Sequence, residues 1–410
     1  MKLTPQQRAW ADGADGDARA LAMELLIAAA KVWDAPRLRP IKAAYVNTSF
    51  SASPSHLDLL ETIVEGGGRV AVPTFTNIAG TGIGDLRSGP QAEALARDTA
   101  RLNALHERIG AQPSFTCAPY QLPKPPPFGA HVACSESNAV SYFNSVLGVR
   151  TAKYGDYLDL AAALTGLVPD AGLHTDAGRA PALMLDVDVP PEAFAISDLA
   201  ATLLGLHMGH LAGTRVVLIK GLPPTLSQDA LRAIGAGGAT WGGVALFHAA
   251  GLTPEAPKAQ TQAAGVPQHG VTQADLEAAR VRISGFDTGP VDAVVIGTPH
   301  ASVREARALA GLLAGRRVAS GTAMFVQLNR FTADLLEAYG SAGALRKAGV
   351  QIVRDTCLYW RPAAQGLSGR VMTTSGKLAQ YAAAELGVSC CLSSLEACVK
   401  SALTGHVSAP

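Results

Sequence analysis

The chain has little charge of either sign. Charged residues fill 16% of its 410 positions, and 34 Lys and Arg against 33 Asp and Glu leave a formal net charge of +1. That balance argues against a nucleic-acid partner, which needs a basic face. A small anionic substrate needs only one or two local donors and is not excluded. No apolar run reaches the roughly 18 residues expected of a membrane span. The opening MKLTPQQRAWADGADGDARA lacks the apolar stretch of a signal peptide. The expected setting is the cytoplasm, with neither membrane nor nucleic acid as partner. Six cysteines are too few for a disulfide scaffold in a chain this long. No CxxC pair occurs, which excludes a local zinc knuckle and leaves free thiols or long-range metal ligands. TTSGK (Thr373 to Lys377) lacks the GxxxxGK[ST] form, so no nucleotide-hydrolase phosphate loop is present. There is no fixed-period repeat and no low-complexity tract.

Apolar residues make up 48% of the chain, enough for a large core, and its length suits two or three domains. Helical spacing is clear from about Asp15 to Trp33. Beyond it, apolar runs ending in polar loops alternate with helical segments: AAYVNTSF, then PSHLDLLETIVEGG, then RVAVPTFTN. The alternation is cleanest in the last third, where VDAVVIGTPH, RRVASGTAMFVQ, VQIVRDTCLYW and GRVMTTSGK are each followed by loops or helices. This pattern predicts an α/β fold, multi-domain, with parallel sheets covered by helices. Ligands in such sheets sit at the carboxyl ends of strands, where TPH, DTC and TTSGK fall. Thr253 to Asp275, polar and rich in Pro and Ala, is the predicted linker. GGATWGGVALF holds too many small residues for a periodic element, and its glycines permit close backbone approach to a ligand or a strand.

Cys117 in SFTCAPY and Cys357 in RDTCLYW both follow strand-like residues at loop positions where a thiolate can face a cleft. The competing reading is that each is a small buried apolar residue, as free Cys usually is. Cys134, Cys390, Cys391 and Cys398 read as core. Ser135, Glu136 and Ser137 precede an apolar run and suit helix capping as well as they suit catalysis. Lys377 reads as a solvated surface lysine, Asn77 as a turn residue, and His248 and His300 as lone histidines satisfied in core or turns.

Together these segments resemble the large subunit of aconitase X, a branch of the aconitase superfamily. The matching stretches run in the family's order: VPTxxNxAG (Val72 to Gly80), TCxPY (Thr116 to Tyr120), SESNAV…NSVLGxRT (Ser135 to Thr151), LTG (Leu164 to Gly166), GLH (Gly172 to His174), ALFHxxGxTPEA (Ala245 to Ala256), GxPHAS (Gly297 to Ser302), DTC (Asp355 to Cys357), VMTxSGK (Val371 to Lys377) and SLEACVKSALTG. No one of them is specific; their number and order are. The resemblance implies an aconitase-like core, with a catalytic region over residues 1–280 in two subdomains and an α/β subdomain over 281–410. It also implies a separate small swivelling-domain subunit as partner.

Members of this family dehydrate cis-3-hydroxy-L-proline or mevalonate 5-phosphate, each with an iron–sulfur cluster. Carried over, the resemblance places metal ligands at Cys117 and Cys357. The third family cysteine, in GCPH, is replaced by Thr298 in GTPH. A hydroxyl is a poor substitute for a soft thiolate on iron. That leaves open a smaller cluster such as [2Fe–2S], a differently ligated one, or none, with Cys134 as a substitute ligand. Substrate contacts fall at Asn47, Thr48 and Ser49, where the usual VSG pattern is not kept, and at Asn77, Glu136, Ser137 and Lys377. The expected reaction removes water from a small hydroxy-carboxylate, with Ser375 or Glu136 as base and Lys377 holding the carboxylate. Mevalonate 5-phosphate is the alternative substrate; a phosphate calls for clustered Arg or Lys, and only Arg150 and Lys377 suggest themselves. The rival from another class is a cluster-less binding subunit.

Overall fold

The run Ala293–Ile296 (AVVI) is a strand buried at all four positions. Burial on both faces is what a parallel strand covered by helices requires. It belongs to one of three parallel sheets in a computed structural model that describes residues 1–47, 54–79, 90–358 and 367–409. The first sheet sets Ala43–Val46 between Thr74–Thr76 and Val132–Cys134. The second runs Phe247–Ala249, Val217–Lys220, Leu183–Asp188, Gln268–Thr272. The third runs Val350–Arg354, Ala323–Leu328, Ala293–Ile296, Arg370–Thr373, Ser389–Leu392. The fold is the α/β, multi-domain arrangement expected. Among the described residues no helix is long and apolar enough to cross a membrane.

In each of these three parallel sheets the strand that comes first in sequence has later strands on both sides. The chain leaves to one side and then crosses to the other, which opens a crevice beyond that strand's carboxyl end. In the third sheet, four helices begin just past strand ends, capped by Ser302, Asn329, Ser375 and Ser394, each accepting an N–H of the first turn. This is why polar residues collect at the carboxyl edge. The first and third units share a core there: Ile78 and Cys117 pack with Val295, Phe325, Cys357 and Leu378.

Two expectations are corrected. The segment 253–275 does not link domains: it holds helix Ala256–Thr261 and strand Gln268–Thr272, the edge strand of the second sheet, and Thr272 and Asp275 form the capping box of the next helix. Its polarity reflects an edge position, since only Val271 of that strand turns inward. The glycine-rich stretch before Gly242 is also periodic, as the end of helix Gln228–Trp241. Its small residues let that helix approach helix Leu199–Ala212 backbone to backbone. A Cβ on Gly237 would stand 2.7 Å from the Leu206 amide, and one on Gly205 would stand 2.3 Å from the Ile234 carbonyl oxygen.

Backbone on the opposing helix cannot turn aside as a side chain can. Gly205→Ala should therefore destabilise the fold by about 1–3 kcal/mol through overpacking, read as a lower urea midpoint.

Candidate active site

The sulfurs of Cys117 and Cys357, 240 positions apart in sequence, lie 3.7 Å from each other. Both are buried. Each is delivered by a turn with a left-handed residue two positions upstream, Phe115 (φ 44°) and Asp355 (φ 66°). Such backbone is costly for residues with a side chain, and one arginine braces both turns. Arg330 stacks its guanidinium 4.5 Å from the centroid of the Phe115 ring. It also donates to Asp355 Oδ2 from Nε (3.0 Å) and Nη2 (2.8 Å), and its backbone N–H donates to Asp355 Oδ1 at 2.8 Å.

His300 completes the group. Ligand atoms of Cys117, His300 and Cys357 all lie within 4.8 Å of one another. The His300 backbone N–H points to Cys117 Sγ at 3.3 Å, and its Nε2 meets the Thr356 carbonyl at 3.0 Å. Burial pushes the Cys117 thiol up, but the hydrogen bond from Cys357 and the charge and hydrogen bond of His300 outweigh it and hold Cys117 well below the usual thiol range. Cys357 is driven well above that range by the same hydrogen bond and by burial. The two sulfurs share one hydrogen bond and titrate as a pair, with ionisation favoured at Cys117 and opposed at Cys357.

Facing this group is a buried ion pair. Lys377 Nζ donates to Glu136 Oε1 at 2.5 Å, with relative exposures of 5% and 8%. Asn138 Nδ2 donates to the same oxygen at 2.7 Å, and Asn77 Nδ2 to Oε2 at 3.1 Å. Burial raises the Glu136 carboxyl, yet Lys377 and these donors more than offset it and hold it below the ordinary carboxylate range. The pair lies within electrostatic reach of the sulfurs: the Lys377 charge favours the Cys357 thiolate and the Glu136 charge opposes it.

The remaining sequence candidates divide. Ser375 is the cap of helix Gly376–Leu386: its oxygen accepts from the Leu378 N–H at 2.9 Å and its hydroxyl donates to the Thr298 carbonyl. Thr298 is buried beside the group, and its hydroxyl accepts from Gln327 Nε2 at 2.6 Å. Gln327 Oε1 in turn receives the N–H of Leu358, next to Cys357, at 2.5 Å. Asn47 is engaged by Asp159, which accepts its N–H at 2.8 Å, and by Asp156, which accepts from its side chain at 2.9 Å. Ser137 opens helix Ser137–Ser145 beside Glu136. Cys134 is not drawn into the group. It sits in an apolar cluster with Tyr45, Val140 and Phe143, where burial pushes its thiol up. Thr48 and Ser49 lie outside the described residues. His300, Arg330 and Gln327 carry no family-independent signal in the sequence; only the register of GTPH beside the family's GCPH pointed near His300.

The residues present fit a thiophilic metal. Two sulfurs binding one tetrahedral ion at about 2.3 Å stand about 3.8 Å apart, close to the 3.7 Å seen. His300 directs Nε2 to a backbone carbonyl, the outer contact that ligating histidines make, and its Nδ1 meets the Thr116 hydroxyl at 3.4 Å.

Residues 1–177, 181–281 and 291–404 match the families Aconitase X first domain, second domain and third domain. A cis-3-hydroxy-L-proline dehydratase of Hypocrea jecorina is 34% identical over 415 residues, 99% of this chain and 69% of the relative. The phosphomevalonate dehydratase large subunit of Thermococcus kodakarensis is 34% identical over 383 residues, 93% of this chain and 95% of the relative. The crystal structure of Thermococcus kodakaraensis aconitase X in its holo form matches with a TM-score of 0.87 and 31% identity, covering 98% of this chain and 100% of that one.

Glu136→Gln would leave the Lys377 ammonium buried without its counter-charge, a loss of roughly 3–5 kcal/mol at neutral pH. The native carboxyl is held below its ordinary value of 4.5, so its stabilisation is full above that pH and is lost as pH falls through the folded value. Urea midpoints measured from pH 7 down to pH 3 should fall in the native protein and show a shallower acid limb in the variant.

Proposed function

The chain belongs to the aconitase X family, and from that premise we propose that it dehydrates cis-3-hydroxy-L-proline with the help of an iron–sulfur cluster. Its relatives are dehydratases, and it is a hydro-lyase of that family. The observation that carries the reading is the buried Glu136–Lys377 pair facing two sulfurs 3.7 Å apart. Cys117 and Cys357 would hold the metal, with sulfurs 3.7 Å apart. His300 would be the third ligand rather than Thr298: its ring lies within reach of both sulfurs and the Nδ1 contact with the Thr116 hydroxyl is long, whereas Gln327 holds the Thr298 hydroxyl at 2.6 Å. A cluster bound there supplies a Lewis acid for the departing hydroxyl.

Lys377 binds the substrate carboxylate. As that carboxylate takes the ammonium, Glu136 loses the partner that depresses its basicity and becomes the stronger base. It removes the proton on the carbon next to the carboxylate. The C–H electron pair forms the ring double bond, the adjacent C–O bond breaks, and the hydroxide takes a proton and leaves as water. The resulting enamine tautomerises to pyrroline-2-carboxylate. Ser375 is less suited to be the base, since its proton already serves the Thr298 carbonyl.

Hydroxyproline is favoured over mevalonate 5-phosphate because the nearby arginines are neutralised: Arg232 by Glu305, and Arg304 by Asp198 and Asp229. A separate small subunit completes the enzyme, in line with relatives whose names specify a large one.

The chain, co-expressed anaerobically with the small subunit, should contain iron and sulfide and form pyrroline-2-carboxylate from cis-3-hydroxy-L-proline. A colourless, iron-free complex would overturn the cluster, and turnover of mevalonate 5-phosphate alone would overturn the substrate. His300→Ala should strip the iron while Thr298→Ala keeps it. Glu136→Asp, which keeps the charge but withdraws the oxygens, should lower kcat by roughly 100-fold or more; Ser375→Ala should lose less.

A further inference from the structure

The carboxyl ends of the second and third sheets enclose a cavity of about 560 Å³ that reaches Lys377. Helices Gly376–Leu386 and Leu395–Thr404 both begin at its wall. Their caps, Ser375 and Ser394, satisfy the amides of Leu378 and Ala397. The first-turn amides of Gly376 and Leu395 have no carbonyl of their own helix to meet, so this wall is electropositive.

Between the two helix starts stands Ser393. It lines the cavity and is 2% exposed, and its hydroxyl has no hydrogen-bond partner. Its backbone N–H is used, donating to the Thr373 carbonyl at 2.9 Å, so the residue is held while its side chain is not. A buried hydroxyl without a partner opposes folding and calls for an explanation. The balance of charge limits what it awaits. Arg232 and Arg304 are paired with carboxylates, and Glu192 and Glu396 also line the space. A single negative charge suits this wall better than the two of a phosphate monoester.

We propose that Ser393 is the recognition hydroxyl of a carboxylate subsite, formed with the first-turn amides of the two helices and the Lys377 ammonium. It rests on the dehydratase reading and places that substrate's carboxylate. The Ser393 hydroxyl donates one hydrogen bond to the carboxylate, and this contact sets affinity rather than the rate of proton removal.

The test is Ser393→Ala in the complex with the small subunit, probed by calorimetry with L-proline, which has the carboxylate but no hydroxyl to lose, and with inorganic phosphate. A hydrogen bond to a charged group corresponds to a roughly tenfold or greater loss of affinity. The dissociation constant for L-proline should rise by that factor, and KM for the hydroxylated substrate should rise with kcat little changed. Tm should not fall, because no native contact is removed. A lower Tm with unchanged L-proline affinity would make Ser393 structural and overturn the subsite. Ser393-dependent binding of phosphate but not of L-proline would overturn the carboxylate assignment. If dehydration proceeds while L-proline binds both proteins equally, the subsite fails and the dehydratase reading stands. If L-proline binding depends on Ser393 but nothing is dehydrated, the subsite stands and the reading fails.

Discussion

The site depends on an ion pair made between two sheets. Glu136 follows the end of strand Val132–Cys134 in the first, and Lys377 follows strand Arg370–Thr373 in the third. Burying two such charges is expensive, and their attraction repays it only when the remaining hydrogen-bonding capacity is also met. Asn77 and Asn138 meet it for the carboxylate. The pair does more than join two units. It fixes the distance between an ammonium and a carboxylate while keeping both buried, and it holds that geometry within electrostatic reach of a cysteine pair.

The arrangement follows from parallel sheets. All strands of a parallel sheet end at one edge, and the loops that leave that edge must carry the polar residues that cap the next helix. When two such edges meet, the caps meet. Ser375 shows how closely structural and chemical duties then overlap: one oxygen terminates a helix and fastens the loop of Thr298. Gln327 does the same across the sheet, linking Thr298 to the residue after Cys357.

Much of this was legible in the sequence. Apolar runs ending in TPH, DTC and TTSGK located the edge, and the order of family motifs named Cys117, Cys357, Glu136 and Lys377. Three kinds of information were not. Lys377 read as a surface residue because nothing local marks a lysine for burial; its partner lies 241 positions away. His300 read as a satisfied lone histidine because the two sulfurs beside it come from distant loops. Gly237 to Trp241 read as aperiodic because the face a glycine-rich helix offers is backbone, which leaves no hydrophobic pattern. The edge strand Gln268–Thr272 was hidden for a related reason: one inward residue is too few to show alternation.

The distance between the two cysteines along the chain also bears on the protein's synthesis. With 240 positions separating them, a ribosome adding about 5–20 residues per second releases the second thiol roughly 12–48 s after the first. Throughout that interval Cys117 lacks its sulfur neighbour, and for most of it the arginine that braces its turn. The two-sulfur group forms only once the strands of the third sheet have been made, and a nascent chain stalled before them carries Cys117 without its neighbour.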